Sequence, residues 1–90
     1  MEIITDESKL PKEILDLLEE NKESYPRYKI AYEYIPPDGL WEMHLYKIVM
    51  KPLYIEQQAL FFQIWFHGKK MENVNKVFVD KQLIQMFWGL

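Results

Sequence analysis

Side chains able to carry chemistry are few in this chain, and their placement excludes more than it permits. The serines and threonine (Thr5, Ser8 and Ser24) all lie in the first 24 residues, and cysteine is absent. Covalent hydrolysis needs a nucleophile with a base beside it, and the remainder of the chain offers neither an aliphatic hydroxyl nor a thiol. Gly39, Gly68 and Gly89 are isolated from one another, so neither a phosphate-cradling loop nor a dinucleotide fingerprint can form. With two histidines, His44 and His67, a metal site would have to be completed by carboxylates. Glu33, Glu42 and His44 are the one set that a β-hairpin would gather. Its simpler reading is electrostatic: two like charges across a strand pair repel, and His44 and Lys29 on the diagonals relieve them. His67, beside Gly68-Lys69-Lys70, reads as a strand-end residue next to an exposed turn. The expectation is a protein with no catalytic residue, no metal and no cofactor.

Two other features point outward. Six Tyr, five Phe and three Trp make up 16% of the 90 residues. That is a large aromatic load for one small core, and Tyr, Trp and Met are enriched where proteins meet. Tyr46 and Trp65, reading as off the main apolar face, are the candidate anchors for a partner. The second feature is charge. The chain is formally −3, yet residues 1–24 hold eight acids against three lysines, leaving six acids and eight bases for the rest. The acidity therefore belongs to one helix, whose outer carboxylates Glu13, Asp16, Glu20 and Glu23 would present a negative surface to a basic partner.

The same numbers bound the class. Ninety residues form one domain, with 49% hydrophobic and 28% charged residues as in globular proteins. The absence of cysteine suits a reducing compartment, and the first residues carry neither a basic start nor an apolar signal stretch, so a cytoplasmic location is expected. The most apolar window, 59–66, is interrupted by Gln63 and is far short of the roughly 20 residues that a membrane-spanning helix needs. Net acidity argues against binding nucleic-acid backbones.

The elements that must position these residues follow from periodicity. Leu10, Ile14, Leu17 and Leu18 recur at helical spacing, predicting an acidic helix over about 8–22, with Ser8 or Asp6 as cap and Pro11 in the first turn. A hairpin over about 28–50 follows. Closing Ile35 on Leu40 across Pro36-Pro37-Asp38-Gly39 sets Tyr34 against Trp41, Tyr32 against Met43 and Ile30 against Leu45 on an apolar face, with Glu33 opposite Glu42 and Ala31 opposite His44 on the other. The run over about 59–67, apolar on both faces, reads as a strand covered on both sides. In the C-terminal segment, about 74–90, Val74 to Val79 is a short fourth strand, and Asp80 caps a final helix bearing Leu83, Ile84, Phe87 and Trp88, a strand being the alternative there.

The fold expected is thus α+β: an antiparallel sheet of three to four strands with the N-terminal helix and a C-terminal helix packed on one face. Its order of helix, three strands and helix resembles that of double-stranded-RNA-binding domains. Where those domains place basic residues at the start of the last helix, this chain has Asp80-Lys81-Gln82, so the likeness implies no RNA binding. The function expected is a small non-catalytic protein-binding module: an inhibitor, an immunity or antitoxin-like protein, or a virus-encoded protein that blocks a host factor. The alternative is an accessory subunit or obligate homodimer that buries its aromatics against its own copies.

Overall fold

A computed structural model describes residues 2–37, 42–54 and 56–79. A short first strand, β1 (Glu2–Ile4), leads into a single 3-10 turn at Glu7–Lys9. Asp6 caps that turn, its carboxylate accepting from the backbone N–H of Ser8 at 3.0 Å and from the Ser8 hydroxyl at 2.7 Å. Those bonds hold the Asp6 carboxyl below its ordinary pKa. Helix α1 runs Lys12–Asn21 behind Pro11. Its apolar stripe buries Ile14 and Leu18, with Leu10 just ahead of it. At the far end Asn21 turns back to donate to the Leu17 carbonyl at 2.8 Å, a side-chain bond that competes with helix continuation.

Four long strands follow: β2 (Arg27–Ile35), β3 (Met43–Lys51), β4 (Ala59–His67) and β5 (Lys70–Val79). All pair antiparallel in the order β1-β2-β3-β4-β5, so each strand lies beside its neighbour in sequence. Between β4 and β5, Gly68 takes a φ of +61°, a left-handed conformation that glycine adopts without a Cβ penalty.

The hairpin register differs from the expected one. Tyr34 lies opposite His44, Tyr32 opposite Tyr46 and Ile30 opposite Ile48, and the ladder ends at Ile35 and Met43. The pairing is displaced by three residues, an odd number, so the face of β3 that meets β2's tyrosines is reversed. The reason lies further along β3. Trp41, Met43 and Leu45 favour one parity over a short stretch, but the other parity continues through Tyr46, Ile48 and Met50. That set matches Tyr28, Ile30 and Tyr32, and a longer connection accommodates it.

Cross-strand rows then build the core face: Tyr28, Met50, Leu60; Ile30, Ile48, Phe62; Tyr32, Tyr46, Ile64. Leu10, Ile14 and Leu18 close over these rows in one hydrophobic cluster. Ala31, Leu45, Val49 and Ala59, of the opposite parity, are also buried, whereas Phe61, Gln63 and Trp65 on the same face of β4 are only half-buried. Leu45 is buried as expected, but on the face away from Ile30.

The expected fold class needs correction. The protein has one five-stranded antiparallel sheet and, among the described residues, a single α-helix, so it is mostly sheet. β1 was not expected, and β5, expected as a short fourth strand over Val74 to Val79, is longer, Lys70–Val79. β1 is three residues long, and β5 is exposed along nearly its whole length, leaving no buried face to impose alternation. The C-terminal helix expected at 80–88 lies outside the described residues. Among those described, no helix is long and apolar enough to cross a membrane.

Candidate functional site

The four carboxylates singled out on the acidic helix remain together. Glu13, Asp16 and Glu20 lie on α1 and Glu23 in the turn after it, and all four are exposed. Glu19 is partly neutralised by Lys22, at 2.6 Å. The outer surface of α1 is therefore a negative strip standing on the apolar stripe that anchors it.

The two aromatic anchors are placed differently. Trp65 sits on the sheet face away from α1 in the row Glu33, Leu45, Trp65, Asn73, and is half-buried. Tyr46 lies on the apolar face itself. It is 8% exposed, with its ring 5.6 Å from Phe66 in an edge-on contact and 5.0 Å from Tyr32. The displaced register puts it there, and Tyr46 and Trp65 belong to opposite sides of the sheet.

The displaced register also dissolves the Glu33, Glu42 and His44 set. Glu33 now pairs with Leu45 on the far face. His44 instead joins a polar ladder on the α1 side: its Nδ1 is 2.5 Å from the Tyr32 hydroxyl, its Nε2 3.7 Å from Glu42, and the Tyr34 hydroxyl donates to Glu42 at 3.0 Å. A proton on Nε2 satisfies all three contacts, since Nδ1 then accepts from Tyr32 while Nε2–H points at the carboxylate. The bond to Glu42 raises the Tyr34 pKa, and burial raises that of Tyr32, so both phenols remain donors at neutral pH. His67 lies 3.4 Å from Glu72. Among the described residues, no three His, Cys, Asp or Glu side chains are grouped to hold a metal ion.

The feature that stands out most is β5, expected as a short strand over Val74 to Val79 and found to run Lys70–Val79 with its side chains exposed. Among the described residues it is an edge strand of the sheet, ten residues long and exposed from Lys70 to Phe78. Met71 at 41%, Val74 at 39%, Val77 at 48% and Phe78 at 60% exposure form the longest run of uncovered apolar side chains in one described element. Val74 and Phe78 share the rows of Ile64 and Leu60, yet neither joins the core cluster, because α1 covers β2 to β4 and stops short. Lys76 lies 5.8 Å from the Phe62 ring and 5.9 Å from that of Phe78. A β-bulge interrupts the ladder where Phe66 faces Met71 and Trp65 faces Asn73. The signal in sequence was the apolar spacing in Val74-Asn-Lys-Val77-Phe78-Val79, which fits a strand with no buried side.

No protein-family model matches the chain, and no curated protein and no solved structure matches it either.

Proposed function

We propose that this chain is a small non-catalytic protein-binding module that acts by occluding a surface of another protein, in the manner of an inhibitor, an immunity or antitoxin-like protein, or a virus-encoded blocker of a host factor. The observation that carries this reading is β5. A long edge strand presents a row of unpaired backbone groups that an extended segment of a partner can join, and β5, an edge of the sheet among the described residues, also displays Val74, Val77 and Phe78. Monomeric proteins seldom leave such a strip open without a use. The acidic strip of α1, with Glu13, Asp16, Glu20 and Glu23, adds long-range attraction for a basic partner, and half-buried Trp65 supplies a further apolar contact. A chain with no cysteine suits work in the cytoplasm, the host's if the protein is viral.

The same edge supports a second reading, pairing of β5 with β5 of another copy. Light scattering on a size-exclusion column separates the two, since an 11.0 kDa chain that stays monomeric at every concentration leaves the homodimer without support. The main reading is tested by capture from lysate of the native host with wild-type and Val77→Lys/Phe78→Ala baits. A protein retained by the first and lost by the second is expected; retention by both baits would remove β5 from the interface.

A further inference from the structure

On the α1 side of the sheet, β5 carries Val74, Lys76 and Phe78 in the rows of Ile64, Phe62 and Leu60. Lys76 thus stands between two apolar residues that are 39% and 60% exposed. Its ammonium lies over the Phe62 and Phe78 rings, at 5.8 and 5.9 Å, a cation–π placement, and among the described residues no carboxylate pairs with it. The one acid of β5, Glu72, is drawn to His67, 3.4 Å away. Glu72 also falls at the bulge between Met71 and Asn73, so the regular part of the edge is residues 73–79. A strand laid along that part covers Lys76 as it covers Val74 and Phe78. An ammonium taken from water without an opposite charge is penalised, and a carboxylate directly across the strand pair relieves it. A second copy of β5 does not supply one. In the antiparallel register that sets Val74 against Phe78 of the copy, Lys76 falls opposite the copy's own Lys76, and lysine on an open edge is a common guard against self-pairing.

We propose that β5 takes an extended segment of a different protein in which an acidic residue stands between two apolar ones at alternate positions. Its carboxylate lies opposite Lys76 and its apolar side chains lie on Val74 and Phe78. Side chains on one face of a strand recur every second residue, so this spacing matches that of Val74, Lys76 and Phe78. The inference rests on the reading of β5 as the binding edge and adds the partner's chemistry to it. Lys76 is then the residue that rejects copies of this chain and selects the partner. The positive charge that the α1 strip attracts belongs to the rest of that partner, and the acid on β5 is local.

The probe is the full chain with Lys76→Glu, whose own β5 then carries the required pattern on a strand already in place. Lys76 is exposed, so the variant should melt as wild type does. Each chain alone is expected to stay monomeric in light scattering. An equimolar mixture should pair at least about tenfold more tightly than either chain with itself. Amide shifts in labelled wild type should be confined to residues 73–79 and should fade as salt rises. Lys76→Gln in place of Lys76→Glu should lose that preference. No association of the mixture up to about 1 mM, equal pairing by Lys76→Gln, or wild type pairing with itself as tightly as with Lys76→Glu would each overturn the proposal. Capture from lysate of the native host separates it from the broader reading. A partner retained by wild type should be lost by a Lys76→Glu bait. A partner that Lys76→Glu keeps and Val77→Lys/Phe78→Ala loses overturns the acidic segment and leaves β5 as the interface, whereas one kept by every bait overturns both.

Discussion

Strands β2 to β4 and strand β5 belong to the same sheet but are held in it by different forces. Under α1 the rows are closed over, with Ile14, Ile30 and Ile48 fully buried. β5 is fastened to β4 by an equally long ladder and buries almost nothing of its own. Hydrogen bonds alone contribute modestly to net stability, because water competes for the same groups. The apolar side chains on β5 therefore contribute little to the fold that holds them. Burial marks what the fold needs; exposed apolar side chains on an open edge mark what is left for something else.

The largest expected effect tests the first half of that contrast. Ile48→Ala, at the centre of the middle strand, should lower stability by about 2–5 kcal/mol in denaturant titration, the usual range for truncating a buried aliphatic residue. Phe78→Ala, 60% exposed, should stay within about 0.5 kcal/mol of wild type. Similar losses at the two sites would erase the distinction. The second half is read in binding: once a partner has been captured, Phe78→Ala should speed its dissociation and cost about 2 kcal/mol or more. An unchanged dissociation rate would leave β5 a bare solvent edge.

Alkaline pH should act on the covered region and spare β5, which contains no tyrosine. Burial first, then the hydrogen bond its hydroxyl donates to Glu7, push the Tyr28 pKa from 10.0 up to about 12. Tyr32, Tyr34 and Tyr46 are also raised. The unfolded chain ionises first, so the stabilisation is complete below pH 10 and is lost as pH rises toward 12. Tyr28 is half-buried and screened by solvent, so its share is about 1 kcal/mol. Tyr28→Phe should flatten the fall in stability over that window, and an equally steep fall would mean that the shift has no thermodynamic weight.

This division also explains what could be read from the chain. The helix was legible because Leu10, Ile14 and Leu18 face a core while Glu13, Asp16 and Glu20 face water, and β4 as a strand because it is a short apolar, aromatic-rich run, although its second face, with Phe61 and Trp65, is only half-buried. The register was misread because β3 carries apolar residues on both parities too; only its full length, through Met50, decides which set meets Ile30. The placement of Tyr46 inherited that error. β5 was half seen for the opposite reason. A strand exposed on both faces has no periodicity to impose, so its sequence, Lys-Met-Glu-Asn-Val-Asn-Lys-Val-Phe-Val, carries little signal beyond propensity.

The smallest effect concerns how a partner arrives. Charges on an exposed strip lie too far from a contact to hold it, but their summed field bends approaching trajectories, so they act on association and weaken as salt shortens the Debye length to about 8 Å at physiological strength. Glu13, Asp16, Glu20 and Glu23 form that strip on α1, across the molecule's covered side, whereas Val77 and Phe78 on β5 make contact. The two sets should therefore separate kinetically. Reversing all four charges to lysine should slow association about tenfold at low salt, with the difference closing at high salt and dissociation unchanged; Phe78→Ala should do the reverse. Measuring both rates at two salt concentrations for both variants decides the matter. If charge reversal leaves association unaltered at either salt, the acidic strip is merely the solvated back of an amphipathic helix, and recognition falls to the β5 edge alone.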